Sequence, residues 1–167
     1  YNEGQVDEDY GYGNAWSQNL VYTYQVSNPG VANTVQLIVT VQNDTEPGYD
    51  YTYVEYNAGG VWNIWNAGGY DDNRTFNFND TVTYQPGDYT GSGADEVQLR
   101  IRFSSDGAWS DEDGLWDTNG ACQIDDIQVL VGGAVVEDED FEDGPDGTYN
   151  WIPVLDPGVG NYAALYL

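Results

Sequence analysis

Residues 34–42 read TVQLIVTVQ. Val35, Leu37, Val39 and Val41 fall on one side of the alternation, with mostly polar residues between them. Successive side chains of a strand point to opposite faces, so this is the period of a half-buried β-strand. Residues 97–104 repeat it: Val97, Leu99, Ile101 and Phe103 alternate with Gln98, Arg100, Arg102 and Ser104. Residues 49–56 (YDYTYVEY) give a third strand, rich in the aromatic residues that sheets favour. Further strands are predicted over 20–27, 75–78, 81–84 and 124–131, with shorter ones over 61–65 and 134–136. Asn28-Pro29-Gly30, Glu46-Pro47-Gly48, Ala58-Gly59-Gly60, Gly68-Gly69, Pro86-Gly87-Asp88 and Gly132-Gly133 supply turns between them. Many short strands with Gly and Pro turns, and no helical periodicity, predict an all-β antiparallel β-sandwich of jelly-roll type.

The charge balance is extreme. The 167 residues carry 29 Asp and Glu against three arginines, Arg74, Arg100 and Arg102, for a net charge of -26. Fifteen Tyr and six Trp argue against a disordered acidic tail, so the charge lies on a folded body. Such a body has no basic patch for phosphates, which excludes nucleic acid, and it disfavours anionic membranes. No apolar run is long enough to insert into a membrane as a helix. Self-repulsion at this charge opposes compaction, so calcium, high salt or protonation must offset it. Clustering of carboxylates beside glycine turns favours calcium. Cys122 is the sole cysteine, so no disulfide can form within the chain. Asn43, Asn73 and Asn79 each begin an Asn-x-Thr triplet and are candidate glycosylation sites.

The stretches DTEPGYDYTYVEY (44–56) and VQLRIRFSSDGAWSDEDGLWDTNGACQIDDIQV (97–129) resemble the MAM-like jelly-roll modules of bacterial secreted proteins. These are accessory domains beside immune-inhibitor-type metalloproteases and in cell-surface proteins. The order of motifs is similar: a D-Y-x-Y-V-E strand, a Gly-Gly hairpin, a V-Q-L-R strand, an acidic loop and a closing I-D-D-I strand. The resemblance covers roughly residues 10–131. It implies an extracellular or cell-surface module used for adhesion, glycan contact or packing against a catalytic domain, with a structural role for Asp125. Modules of this type open with F-E-x-G followed by Trp. Here that pattern occurs late, as Phe141-Glu142-Asp143-Gly144 and Trp151. The expected organisation is therefore a sandwich over 1–137 and an extension over 138–167.

Four candidate sites follow. The acidic loop with Asp106, Asp111, Glu112, Asp113 and Asp117 is a candidate calcium site, because calcium takes six to eight oxygens from carboxylates and loop carbonyls. Asp44, Glu46 and Asp50 lie on another loop that the sandwich can bring beside it. The alternative is a solvated acidic loop. Asp125 and Asp126 either face opposite sides of a strand, one exposed and the other holding a loop backbone or a cation, or form a bulge with both acids solvated. Trp62, Trp65, Tyr70, Trp109 and Trp116 are candidates for stacking on sugar rings, against the commoner role of aromatics in a core. Asp138, Asp140 and Glu142 are the nearest thing to a catalytic carboxylate set. They lie at the domain edge with no apolar pocket to raise a pKa, and without His or Lys no triad or Schiff base is available. No catalysis is expected.

Two functional classes remain: a calcium-stabilised structural or adhesive module, including a fibre subunit, and a carbohydrate-binding module. For the first, the extension supplies an assembly hypothesis. Residues 138–167, with Phe141, Glu142, Trp151, Leu165 and Leu167, are donated head-to-tail to the next subunit's sandwich. The alternatives are that the segment folds back on its own sheet or begins another module.

Overall fold

The computed structural model describes residues 12–118, 120–141, 149–155 and 165–166. Its strands are β1 (Ser17–Gln25), β2 (Asn33–Asp44), β3 (Tyr51–Ala58), β4 (Val61–Ile64), β5 (Asn73–Tyr84), β6 (Glu96–Ser104), β7 (Cys122–Val131), β8 (Ala134–Glu139), β9 (Ile152–Leu155) and β10 (Leu165–Tyr166). A 3-10 turn sits at Asp111–Asp113. One sheet runs β4-β3-β6-β1-β9; the other runs β10-β7-β2-β5, with β8 also paired to β7. The result is an antiparallel β-sandwich. The short β10 is the exception, running parallel to β7.

The alternating strands form the core. Val35, Leu37, Val39 and Val41 of β2 meet Val97, Leu99, Ile101 and Phe103 of β6, and all eight are essentially inaccessible to water. Tyr12, Leu20, Tyr22, Val54, Tyr84 and Ile127 join the same cluster. Among the described strands only β3–β4 and β7–β8 are hairpins; the other connections cross from sheet to sheet. The chain therefore wraps between the two sheets and does not meander within one.

Residues 75–78 and 81–84 are not two strands. They belong to the 12-residue β5, whose Asn79 and Asp80 stay paired with Ile38 and Leu37 of β2. β5 is an edge strand, so polar residues in its middle reach water without breaking the ladder.

The described parts of the C-terminal segment pack on the rest of the chain. The expected boundary at 137/138 falls inside β8, and β9 pairs with β1 through Gln18↔Leu155 to Val21↔Ile152. Trp151 is buried and stacks on Tyr22, ring centroids 5.2 Å apart. β8 ends at Glu139, and Phe141 takes a positive φ of 54° with its N–H on the Glu139 carboxylate. Leu165 pairs with Cys122. Glu142 and Leu167 lie outside the described residues.

Candidate functional site

The β2–β3 loop leaves β2 at Asp44 and reverses through Glu46-Pro47-Gly48. Gly48 has φ 84°, a conformation that glycine adopts without strain. The Asp50 N–H bonds back to the Glu46 carbonyl at 3.2 Å. Beneath the turn, Asn43, Thr45 and Thr52 form a buried polar network. The Asn43 amide donates to the Thr45 hydroxyl (2.8 Å) and the Asp72 carbonyl (3.1 Å), and the Thr52 hydroxyl donates to Asn43 Oδ1 (2.7 Å). Buried polar groups are tolerated when paired in this way.

That network corrects one expectation. Asn43 is completely buried and its amide nitrogen is already engaged, so it cannot accept a glycan. Asn73 and Asn79 are exposed.

The β6–β7 loop returns to the same end of the sandwich because β3 and β6 are neighbours in one sheet. Its carboxylates divide into two groups. Asp111 is occupied by backbone: it accepts from Tyr12 N–H (3.0 Å), Thr118 N–H (2.8 Å) and the Thr118 hydroxyl (2.7 Å). Asp113 accepts from Trp109 N–H (2.9 Å) and Leu115 N–H (3.1 Å). A small desolvation opposes ionisation of Asp113, but these bonds, with those of Asn14 and Ser110, hold its carboxyl below the ordinary range. Both acids shape the loop.

Asp106 differs. One oxygen each of Glu46, Asp50 and Asp106 lie within 4.8 Å of one another. Asp50 is 0% exposed. Its Oδ1 accepts the Asp106 N–H at 2.7 Å, while Oδ2 is buried with no hydrogen-bond partner among the described residues. Burial raises the Asp50 carboxyl above its ordinary range, against the neighbouring Tyr12 hydroxyl and the Asp106 N–H, which favour the charged form. Glu46 is raised as well, by desolvation and then by the charges of Asp50, Asp106 and Asp113. Tyr12 completes the wall: its hydroxyl accepts the Glu46 N–H at 3.0 Å. Three carboxylates thus converge from two loops, one of them fully buried, and offer the oxygen donors that hard cations take.

The other candidate ligands are elsewhere. Asp44 is half-buried and accepts the Asn73 amide at 2.9 Å. Asp117 is exposed. Asp125 and Asp126 are both exposed, at a break in the β2–β7 register where Asp126 has φ 51°. This is the bulge alternative, and neither acid joins the cluster. Bulges leave the extra residue outside the ladder, which turns both side chains to solvent.

The tryptophans do not make one platform. Trp65 packs edge-on against Tyr56 and Phe78, and Trp116 packs on the core. Trp62 lies under Arg100, the guanidinium 4.2 Å from its ring centre. Trp109 is 51% exposed. Tyr70 stacks on Phe76 at 4.0 Å.

Sequence reasoning did not single out Glu55. It is 3% exposed and accepts from both Arg100 and Arg102, the latter at 3.1 Å. Burial opposes its ionisation, yet the two arginines outweigh it and hold the carboxyl below the ordinary range. The pairing register Glu55↔Arg100 places these groups side by side. An acid in one central strand opposite an arginine pair in another is the signal that could have found it. Asp138 and Asp140 are exposed. Burial pushes the Cys122 thiol up to about 12, against a Thr52 hydrogen bond, so it is a packing residue and not a nucleophile.

The fold and site together define a β-sandwich with an acidic clasp between two loops. Compared with known proteins, the chain matches no family model and no curated protein.

Proposed function

We propose that the protein is a non-catalytic extracellular structural or adhesive module in which calcium clasps the β2–β3 loop to the β6–β7 loop. The observation that carries this reading is Asp50, a fully buried carboxylate that faces Glu46 and Asp106 and has no cationic partner among the described residues. A buried carboxylate without a cation is costly, and the three arginines of the chain are committed to Asp71 and Glu55. Calcium supplies the missing charge and accepts loop carbonyls as further ligands. Sites of this kind in extracellular modules bind at about 10⁻⁴–10⁻³ M, which suits a permanent clasp outside the cell. The resemblance of residues 10–131 to MAM-like accessory modules supports the same setting.

Thermal melts test this directly. Calcium that binds only the native state stabilises it by about 2.7 kcal/mol at a hundredfold excess over Kd. Millimolar calcium should raise the midpoint over that in EGTA at matched ionic strength. Equal midpoints would overturn the proposal.

A further inference from the structure

The side of the sandwich between β1 and β8 carries features that the clasp does not use. β9 covers β1 only as far as Val21, so among the described residues the next part of β1 is a sheet edge. The Val26 N–H bonds across to Asp95 of the β6 side at 2.8 Å. Backbone groups alternate in direction along a strand, so Tyr24 and Tyr22 also turn toward β6, and Thr23 and Gln25 turn away from it. Among the described residues nothing pairs with Thr23 or Gln25 on that side. Unpaired edge groups of this kind accept an added strand.

A cleft of about 580 Å³ opens along this edge, lined by Thr23, Tyr24, Gln25, Glu137, Tyr149 and Asn150 among others. Glu137 is its deepest acid. It pairs opposite the fully buried Val129, so it points between the sheets, and it is only 8% exposed. Its carboxylate accepts from the Asn150 amide at 3.0 and 3.3 Å and lies against the Tyr22 hydroxyl. The arginines face Asp71 and Glu55 instead. Glu137 is thus a buried acid beside an open cleft, held by neutral groups. Tyr24 and Tyr149 add ring faces that attract a cation.

We propose that this cleft docks an extended segment of another polypeptide, which adds a strand along Thr23–Gln25 and places a basic side chain on Glu137. Side chains of an added strand alternate between the cleft and solvent, so one residue in two reaches the carboxylate. A lysine or arginine there gains a charge-assisted hydrogen bond. Anionic segments are repelled by Glu137 and by the -26 net charge. The same charge, and the absence of lysine from the 167 residues, argue against a second copy of this chain as the occupant. The partner is therefore a different, basic chain. The cleft is separate from the Glu46–Asp50–Asp106 cluster, and its occupation does not depend on calcium.

The test is a titration of ¹⁵N-labelled full-length protein with a capped peptide of alternating threonine and valine bearing one central lysine. Norleucine and glutamate versions serve as comparisons. The expected result is a set of amide shifts centred on Thr23, Tyr24, Gln25 and Glu137. The lysine peptide should bind about tenfold or more tightly than the norleucine peptide, a charge-assisted bond being worth about 1.4 kcal/mol or more. The glutamate peptide should not bind. Thr23→Pro removes an N–H that faces the open edge, where proline is tolerated, and should abolish binding by the lysine and norleucine peptides. Glu137→Gln should make the lysine and norleucine peptides equal. No shifts at millimolar peptide, equal binding of all three peptides by wild type, or shifts centred elsewhere would overturn the proposal. So would neutral oligosaccharides moving the same amides while the lysine peptide does not.

Discussion

Trp151→Ala should be among the most damaging single changes in the chain. Trp151 is 1% exposed and stacks on Tyr22. A buried Trp removes up to about 250 Å² from water, which at ~25 cal/mol per Å² is about 6 kcal/mol. Compactness of the unfolded chain lowers that by roughly 10–40%, to about 4–5 kcal/mol. Losing the ring stack adds roughly 1 kcal/mol. Removing the indole N–H, which has no partner among the described residues, returns about 1–3 kcal/mol. The net loss is about 4 kcal/mol, within the range of about 3–5 kcal/mol for buried Trp truncation. Urea unfolding at two protein concentrations measures it. Trp151→Phe keeps a ring and drops the N–H, so it should cost less than about 1.5 kcal/mol. A loss below about 1 kcal/mol for the alanine variant would refute the reasoning. A stability that rises with protein concentration would instead show that residues 149–155 serve a neighbouring copy.

Three further outcomes are expected. Glu55→Gln should cost about 2–4 kcal/mol by denaturation, because it leaves Arg100 and Arg102, both partly exposed, sharing a neutral amide. In EGTA the melting temperature should rise as pH falls from 7 toward about 4.5, and drop below about 4. Asp50, Glu46 and Glu137 have raised folded pKa values, so the stability they withhold at neutral pH returns as they protonate, and it is complete below their unfolded values. Glu55 is depressed, so its contribution is present above its unfolded value and is lost as pH falls through its folded one. A midpoint that falls steadily from pH 7 would contradict this. Finally, expression in a host that glycosylates secreted proteins should leave Asn43 unmodified by mass spectrometry, whatever happens at Asn73 and Asn79, since only Asn43 is buried.

Strict alternation made β2 and β6 legible, because a period of two with one apolar face has few other structural solutions. The sheet arrangement was legible only as a class, since crossovers depend on contacts distant in sequence. β9 was missed. It has four residues, one of them Pro153, which an edge strand tolerates but a sequence pattern discourages. The meeting of the two acidic loops was foreseeable from the wrapped sandwich; the choice of ligands was not. Asp106 and Asp111 look alike in sequence and both accept backbone N–H groups, and only the path of the loop decides which of them stands beside Glu46 and Asp50. Tyr12 was unreadable for a related reason: it reaches Glu46 from a segment without strand periodicity. Asn43 was readable in hindsight. It continues the inward face of Val35 to Val41, so its position in the strand already opposed glycosylation.

Calcium titration calorimetry on wild type and Asp50→Asn tests the central claim most directly. The asparagine keeps the size of the buried group and removes the charge on which the clasp depends. The account predicts one saturable site per chain in wild type and no detectable site in the variant, with Asp125→Asn binding as wild type does. A saturable site that survives Asp50→Asn, or a wild type that takes up no calcium at millimolar concentration, would contradict it.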